Sequence, residues 1–84
     1  MIEVTVKSKH GIHARPASLI VELSAKHQGN VTFIKSGERF NGKSIMSIMR
    51  MGLSYQDQVA IEVEGEDAET VESKLKEIIE NHED

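Results

Sequence analysis

Two hydrophobic periods interleave along this sequence, and their order leaves few folds open. Ile2, Val4 and Val6 alternate with Glu3, Thr5 and Lys7, a period of two that buries one face of a strand. Gly11 ends the run. Pro16 suits the first turn of a helix, where its missing N–H has no partner to lose. Ala17, Ile20, Leu23 and Ser24 then recur at helical spacing, Leu19 and Val21 widen the apolar face, and the helix is expected to stop before Gly29. Val31 and Phe33 mark a second strand, Ser36-Gly37 a turn, and Glu38 to Phe40 a short returning strand; Asn41-Gly42 offers another tight turn. Ser44 stands as a helix N-cap before Ile45, Met46, Ile48 and Met49, in a short helix ending near Gly52. Val59, Ile61 and Val63 alternate with Ala60, Glu62 and Glu64 in a fourth strand that Gly65 ends. Asp67 can cap a last helix, whose Val71, Leu75, Ile78 and Ile79 share a face.

The order is strand, helix, strand, strand, helix, strand, helix. Helices with one apolar stripe must cover a sheet, so an α+β domain of two layers is expected, with antiparallel pairing at least in the hairpin between Val31 and Phe40. The 84 residues suffice for a single domain over 1–84, and 38% hydrophobic content makes its core thin. No repeat, linker or low-complexity segment interrupts the pattern. No stretch approaches the length of a membrane span, and the first residues lack a basic-then-apolar leader, so a cytoplasmic protein without membrane insertion is expected. The absence of Cys excludes disulfides and thiolate metal sites.

Charge is unevenly placed. Residues 1–61 carry eight Lys/Arg against four Asp/Glu, a balance of +4; residues 62–84 carry two against ten, a balance of −8, and together these give the net −4. The acidic part repels nucleic acid and reads first as a solvated helix, while the basic part can face an acidic partner.

The segment Gly11-Ile12-His13-Ala14-Arg15-Pro16-Ala17 carries the chemistry. A strand ends, a glycine turns the chain and a helix begins, which places His13 and Arg15 around a helix N-terminus. Unpaired backbone N–H groups and the helix dipole favour an anion there, the dipole alone by about 0.3–1 kcal/mol. Arg15 adds a planar fork of donors that matches phosphate oxygens. An imidazole is often neutral near pH 7 and then nucleophilic. Together they can form a reversible phosphorylation site, with Pro16, Ala17 and Ser18 as the supporting helix start. By residue type alone, a histidine at a helix start is most often a plain surface or capping residue. His10 lies close by, and two histidines raise the question of a metal. No third ligand of suitable spacing accompanies them, since His27 and His82 lie elsewhere at helix ends, so neither a metal nor a cofactor is expected.

These residues resemble the active-site signature of the HPr family, the histidine-containing phosphocarriers of the bacterial sugar phosphotransferase system. A second block agrees: Lys43-Ser44-Ile45-Met46, followed by Met49 and Gly52-Leu53, is similar to the family's regulatory-serine region. Two separated motifs in the right order, over essentially the whole chain, make the resemblance specific. It implies a two-layer open-faced sandwich, four antiparallel strands covered on one face by three helices. It also implies a stoichiometric carrier, for which a monomer is the default expectation. His13 would take a phosphoryl group on Nδ1 from enzyme I and pass it to an enzyme IIA domain, with Arg15 steadying the phosphate. Ser44 would be the target of HPr kinase/phosphorylase, and the product a corepressor for a catabolite control regulator.

Ser44 as a plain cap and Ser44 as a modified cap are both compatible with the residue pattern; a phosphate at an N-cap favours the helix and adds roughly −1.5 to −2 charge. Ile45, Met46 and Met49 have two readings as well, core stripe or docking surface, and Met46 and Met49 are expected to be divided between them. The chain departs from the usual family pattern at His10, Gly42, Ser47 and Arg50. His10 adds positive charge near His13, and the others fall on the expected docking surface. The alternatives are a regulatory paralogue in carbon catabolite repression, or a partner-binding module with no phosphoryl chemistry.

Overall fold

A computed structural model describes residues 1–81; His82, expected at a helix end, lies outside them. Seven elements follow in the expected order: β1 (Ile2–Thr5), α1 (Ala14–Ala25), β2 (Val31–Lys35), β3 (Glu38–Asn41), α2 (Ile45–Met51), β4 (Gln58–Val63) and α3 (Ala68–Asn81). The strands form one sheet in the order β1-β4-β2-β3, and every neighbouring pair is antiparallel.

The period of two sorts this sheet into a dry face and a wet one. Val4 lies opposite Val59, Ile2 and Phe33 lie opposite Ile61, Val31 opposite Val63, and Phe33 opposite Phe40. Of these only Ile2 is not fully buried, and the set packs with Ala17 and Ile20 of α1, Ile48 and Met51 of α2, and Val71, Leu75 and Ile79 of α3. Burying a side chain of this size is worth about 1.5–3 kcal/mol. Thr32, Ile34, Ala60, Glu62 and Arg39 occupy the other face, which no helix covers, and there the Arg39 guanidinium meets the Glu62 carboxylate at 2.7 Å. The open-faced sandwich of four antiparallel strands and three helices is therefore present as expected.

Directed contacts at both ends and along one side hold α2 in place. β2 and β3 are joined by Ser36-Gly37, both with positive φ (51° and 82°), the backbone of a tight hairpin turn. Because Lys35 and Glu38 are paired across that turn, both project to the helix side, in phase with Phe33 and Phe40. There the Glu38 carboxylate accepts from Arg50 at 2.9 Å, and the Arg50 guanidinium lies 4.8 Å from the centre of the Phe40 ring. The Lys35 ammonium donates to the last carbonyls of α2. Ser44 caps the helix as expected, its Oγ accepting from the Ser47 N–H at 3.2 Å, and Gly52 closes it with φ 63°.

The acidic C-terminal segment is more than solvated surface. Glu72 is 8% exposed and its carboxylate lies 3.4 Å from the Met1 amine. Glu80 accepts from the Thr5 N–H on edge strand β1 at 3.2 Å. Asp67 directly precedes α3 and its carbonyl takes the first helical bond, from the Val71 N–H at 3.1 Å.

Candidate functional site

The site grows from the seam between the β1–α1 loop and the loop after α2. Gly11 has φ +72°, a conformation that glycine alone adopts without cost. A Cβ at this position would also fall 2.5 Å from the Leu53 carbonyl oxygen. The chain passes so close because the next residue, Ile12, donates its N–H to that same oxygen at 2.9 Å. Ile12 is buried in the core at 6% exposure, and so the backbone of residue 13 is anchored from beneath.

His13 is the N-cap residue of α1, in extended conformation (φ −99°, ψ −165°), and its carbonyl accepts the first helical bond from the Ala17 N–H at 3.0 Å. Its side chain does not cap the helix, and the first turn holds no acidic residue. The ring is half-buried, at the mouth of the helix and outside the hydrophobic core. Arg15 is exposed one residue into the same turn.

The helix starts at Ala14, two residues before the position suggested by Pro16. This changes which groups can hold an anion. Pro16 has no N–H, the Ala17 N–H is spent on the His13 carbonyl, and both residues are buried; Ser18 is exposed in the second turn. The donors without an intrahelical acceptor are the N–H groups of Ala14 and Arg15. Sequence reasoning missed Ala14 because proline marks a first turn without saying which of its residues it is.

Helix α2, which packs against α1, carries an apolar surface. Met46 is 77% exposed, Met49 44% and Ile45 39% on α2, with Tyr55 at 48% on the loop that follows. The expected division of Met46 and Met49 between core and surface does not occur: both face solvent, and the core positions of α2 go to Ile48 and Met51. The reason is phase, since 48 and 51 are three apart and face α1 and β3, while 45, 46 and 49 lie on the other side of the turn. Tyr55 carried a usable signal, as a lone exposed aromatic between a helix and a strand.

Asp57 fixes the loop that supplies Leu53. Its carboxylate accepts from the Ser54 N–H at 2.8 Å and lies 3.4 Å from the Lys35 ammonium. Its pKa is lowered from the usual 3.8, first by that backbone N–H and then by Lys35, with burial opposing both. Among the described residues, no group of three or more His, Cys, Asp or Glu side chains is placed to hold a metal ion. None of the helices among those residues is long and apolar enough to cross a membrane.

The open-faced sandwich of four antiparallel strands and three helices is that of small phosphocarrier proteins. Within that class the chain belongs to the HPr family of the phosphotransferase system: the family model for the PTS HPr component phosphorylation site matches residues 1–81. It is 37% identical over 79 residues to phosphocarrier protein HPr of Xylella fastidiosa, covering 94% of this chain and 89% of that one. It is 38% identical over 82 residues to phosphocarrier protein HPr of Mycoplasma pneumoniae, covering 96% and 93%. A crystal structure of HPr from Thermoanaerobacter tengcongensis superposes with a TM-score of 0.87 at 37% identity, over 94% of this chain and 89% of that one. Crh of Bacillus subtilis, a catabolite repression protein solved as a swapped dimer, is also similar, with a TM-score of 0.71 at 31% identity over 98% and 94%.

Two outcomes follow from the seam. Gly11→Ala should lower unfolding free energy by about 2–3 kcal/mol, since the residue must keep a left-handed backbone and push the Leu53 carbonyl away; urea denaturation measures it. Asp57 contributes stability above its ordinary pKa and loses it as pH falls through the depressed one. Between about pH 5 and pH 2, the urea midpoint of Asp57→Asn should therefore fall less than that of the wild type.

Proposed function

We propose that this protein is a stoichiometric phosphocarrier that accepts a phosphoryl group on His13 from enzyme I and donates it to an enzyme IIA domain. The observation that carries the reading is the placement of a half-buried imidazole at the N-terminus of α1, outside the core, with Arg15 in the same turn. Family membership supplies the reaction class.

In the proposed step the neutral ring attacks the phosphorus atom of the donor through Nδ1. The new N–P bond forms as the donor's bond to phosphorus breaks, and the donor's leaving group takes the electron pair. The N–H groups of Ala14 and Arg15 then face the phosphoryl oxygens, and the Arg15 guanidinium adds its fork of donors. Transfer of this kind needs positioning and charge stabilisation more than covalent help from the protein. The reverse step on an enzyme IIA histidine uses the same groups. Ile45, Met46 and Met49 form the docking surface, because flexible thioethers fit several partners. The whole chain acts as one domain and as a monomer in the cytoplasm.

Ser44 is proposed as a regulatory site for HPr kinase/phosphorylase. Its Oγ already accepts from the Ser47 N–H, so a phosphate there keeps the helix capped while placing negative charge beside Ile45 and Met46. A catabolite control regulator would then read the modified surface. A purely regulatory role of the Crh kind is the second reading; it rests on the likeness to Crh, at 31% identity and a TM-score of 0.71.

Incubation with enzyme I and phosphoenolpyruvate should put acid-labile, base-stable phosphate on the wild type and none on His13→Ala, whose folded state should persist by circular dichroism. Label on the alanine variant would refute the site. Ser44→Asp should slow labelling of His13 by about tenfold or more, through repulsion at the docking surface; an unchanged rate removes Ser44 as a regulator.

A further inference from the structure

We infer that Lys35 is a positioning residue for phosphoryl transfer, the centre of a latch that holds the His13 loop from behind. The inference rests on the phosphocarrier reading for its consequence and on geometry for its substance.

Lys35 ends β2 on the covered face, in phase with Val31 and Phe33. A cation there must find partners, because desolvating an ammonium is costly. Its Nζ donates to the carbonyls of Met51 and Gly52, each at 3.1 Å, and lies 3.4 Å from the Asp57 carboxylate. The same carboxylate oxygen accepts from the Ser54 N–H. Residues 51 and 52 are thereby held directly by Lys35, and residue 54 through Asp57. The residue between them is Leu53, whose carbonyl accepts from the Ile12 N–H immediately before His13.

The far side of the loop is also fixed. The Gln56 N–H donates to the Val6 carbonyl at 2.8 Å and the Val6 N–H to the Asp57 carbonyl at 2.9 Å. Gln56 has φ +71°, a conformation costly for a side chain of this kind, and it persists because these bonds determine it. The loop spanning 52–57 is therefore set by its surroundings, and one ammonium satisfies two of its acceptors and the Met51 carbonyl just before it. Without that ammonium, two carbonyls at the end of α2 lose a donor and Asp57 loses its counter-ion. The Leu53 carbonyl can then shift, and the N-cap backbone of His13 with it. Reacting groups displaced by even an ångström lose much of their rate.

The test uses Lys35→Met, which keeps the stem and removes the charge, and Lys35→Arg, which restores a donor cation. Asp57→Asn tests the other half of the latch and stands in if Lys35→Met does not fold. Amide hydrogen exchange is measured by NMR under conditions where each variant is fully folded. The Ile12 amide should exchange about tenfold faster in Lys35→Met, with the sheet amides of Phe33 and Ile61 unchanged. Labelling of His13 by enzyme I and phosphoenolpyruvate should slow about tenfold. Lys35→Arg should recover most of both effects, and Asp57→Asn should show them in weaker form. Uniform loss of protection across the sheet would mean general destabilisation and overturn the inference. So would faster exchange at Ile12 with an unchanged labelling rate, or no change in either. A wild type that takes no label overturns the phosphocarrier reading instead, and leaves the exchange data to judge the latch.

Discussion

The hydrogen bond from the Ile12 N–H to the Leu53 carbonyl joins two loops that are 41 residues apart in sequence, and the functional edge of the molecule depends on it. On one side of that bond the chain turns through Gly11 into α1, and His13 becomes the N-cap. On the other side ends α2, the helix that packs against α1 and carries the exposed methionines. A side chain at residue 11 would wedge the two apart, since its Cβ would sit against the same carbonyl. On the proposed function, reactive group and docking surface thus share a support, and a partner bound at the methionines would find the imidazole in register.

Rigidity below and softness above have different sources. The support is built from directed interactions: Lys35 on the carbonyls of α2, Arg50 on Glu38 and over Phe40, Ser44 at the helix start. Individually the exposed pairs among these are worth little, about 0–1 kcal/mol. Their combined effect is to fix a helix of only seven residues, too short to be stable by itself. The outer face of the same helix carries Ile45, Met46 and Met49, with few contacts and many rotamers. A helix so held can meet several surfaces without changing its own axis.

Most of the fold was legible because each element states its period in the sequence. Val59, Ile61 and Val63 could only be a strand with one dry face, and Val71, Leu75 and Ile79 only a helix with one. Ser44 and Gly52 bounded α2 by side-chain chemistry that works locally. His13 and Arg15 were legible for the same reason, since a helix start is a local event. What stayed hidden is non-local. The first-turn register of Pro16 depends on where Ile12 is anchored, and that anchor is Leu53. The facing of Met46 and Met49 depends on which side α1 and β3 occupy. Lys35 did leave a trace, as a cation in phase with Val31 and Phe33, but its partners are set by tertiary placement.

The strength of the site also has to suit a traveller. A carrier that held phosphate as tightly as a buried ion pair does would stop the relay at itself, because transfer onward would then be uphill. The groups at this site are graded against that outcome. A helix dipole at an exposed terminus contributes about 0.3–1 kcal/mol, and the Arg15 guanidinium stands in solvent, where ion pairing is weak. On the proposed reading, the helix end and one exposed arginine therefore stabilise the phosphorylated state only modestly. That is enough to orient a phosphoryl group and too little to trap it, which leaves the direction of flow to the donor and acceptor on either side.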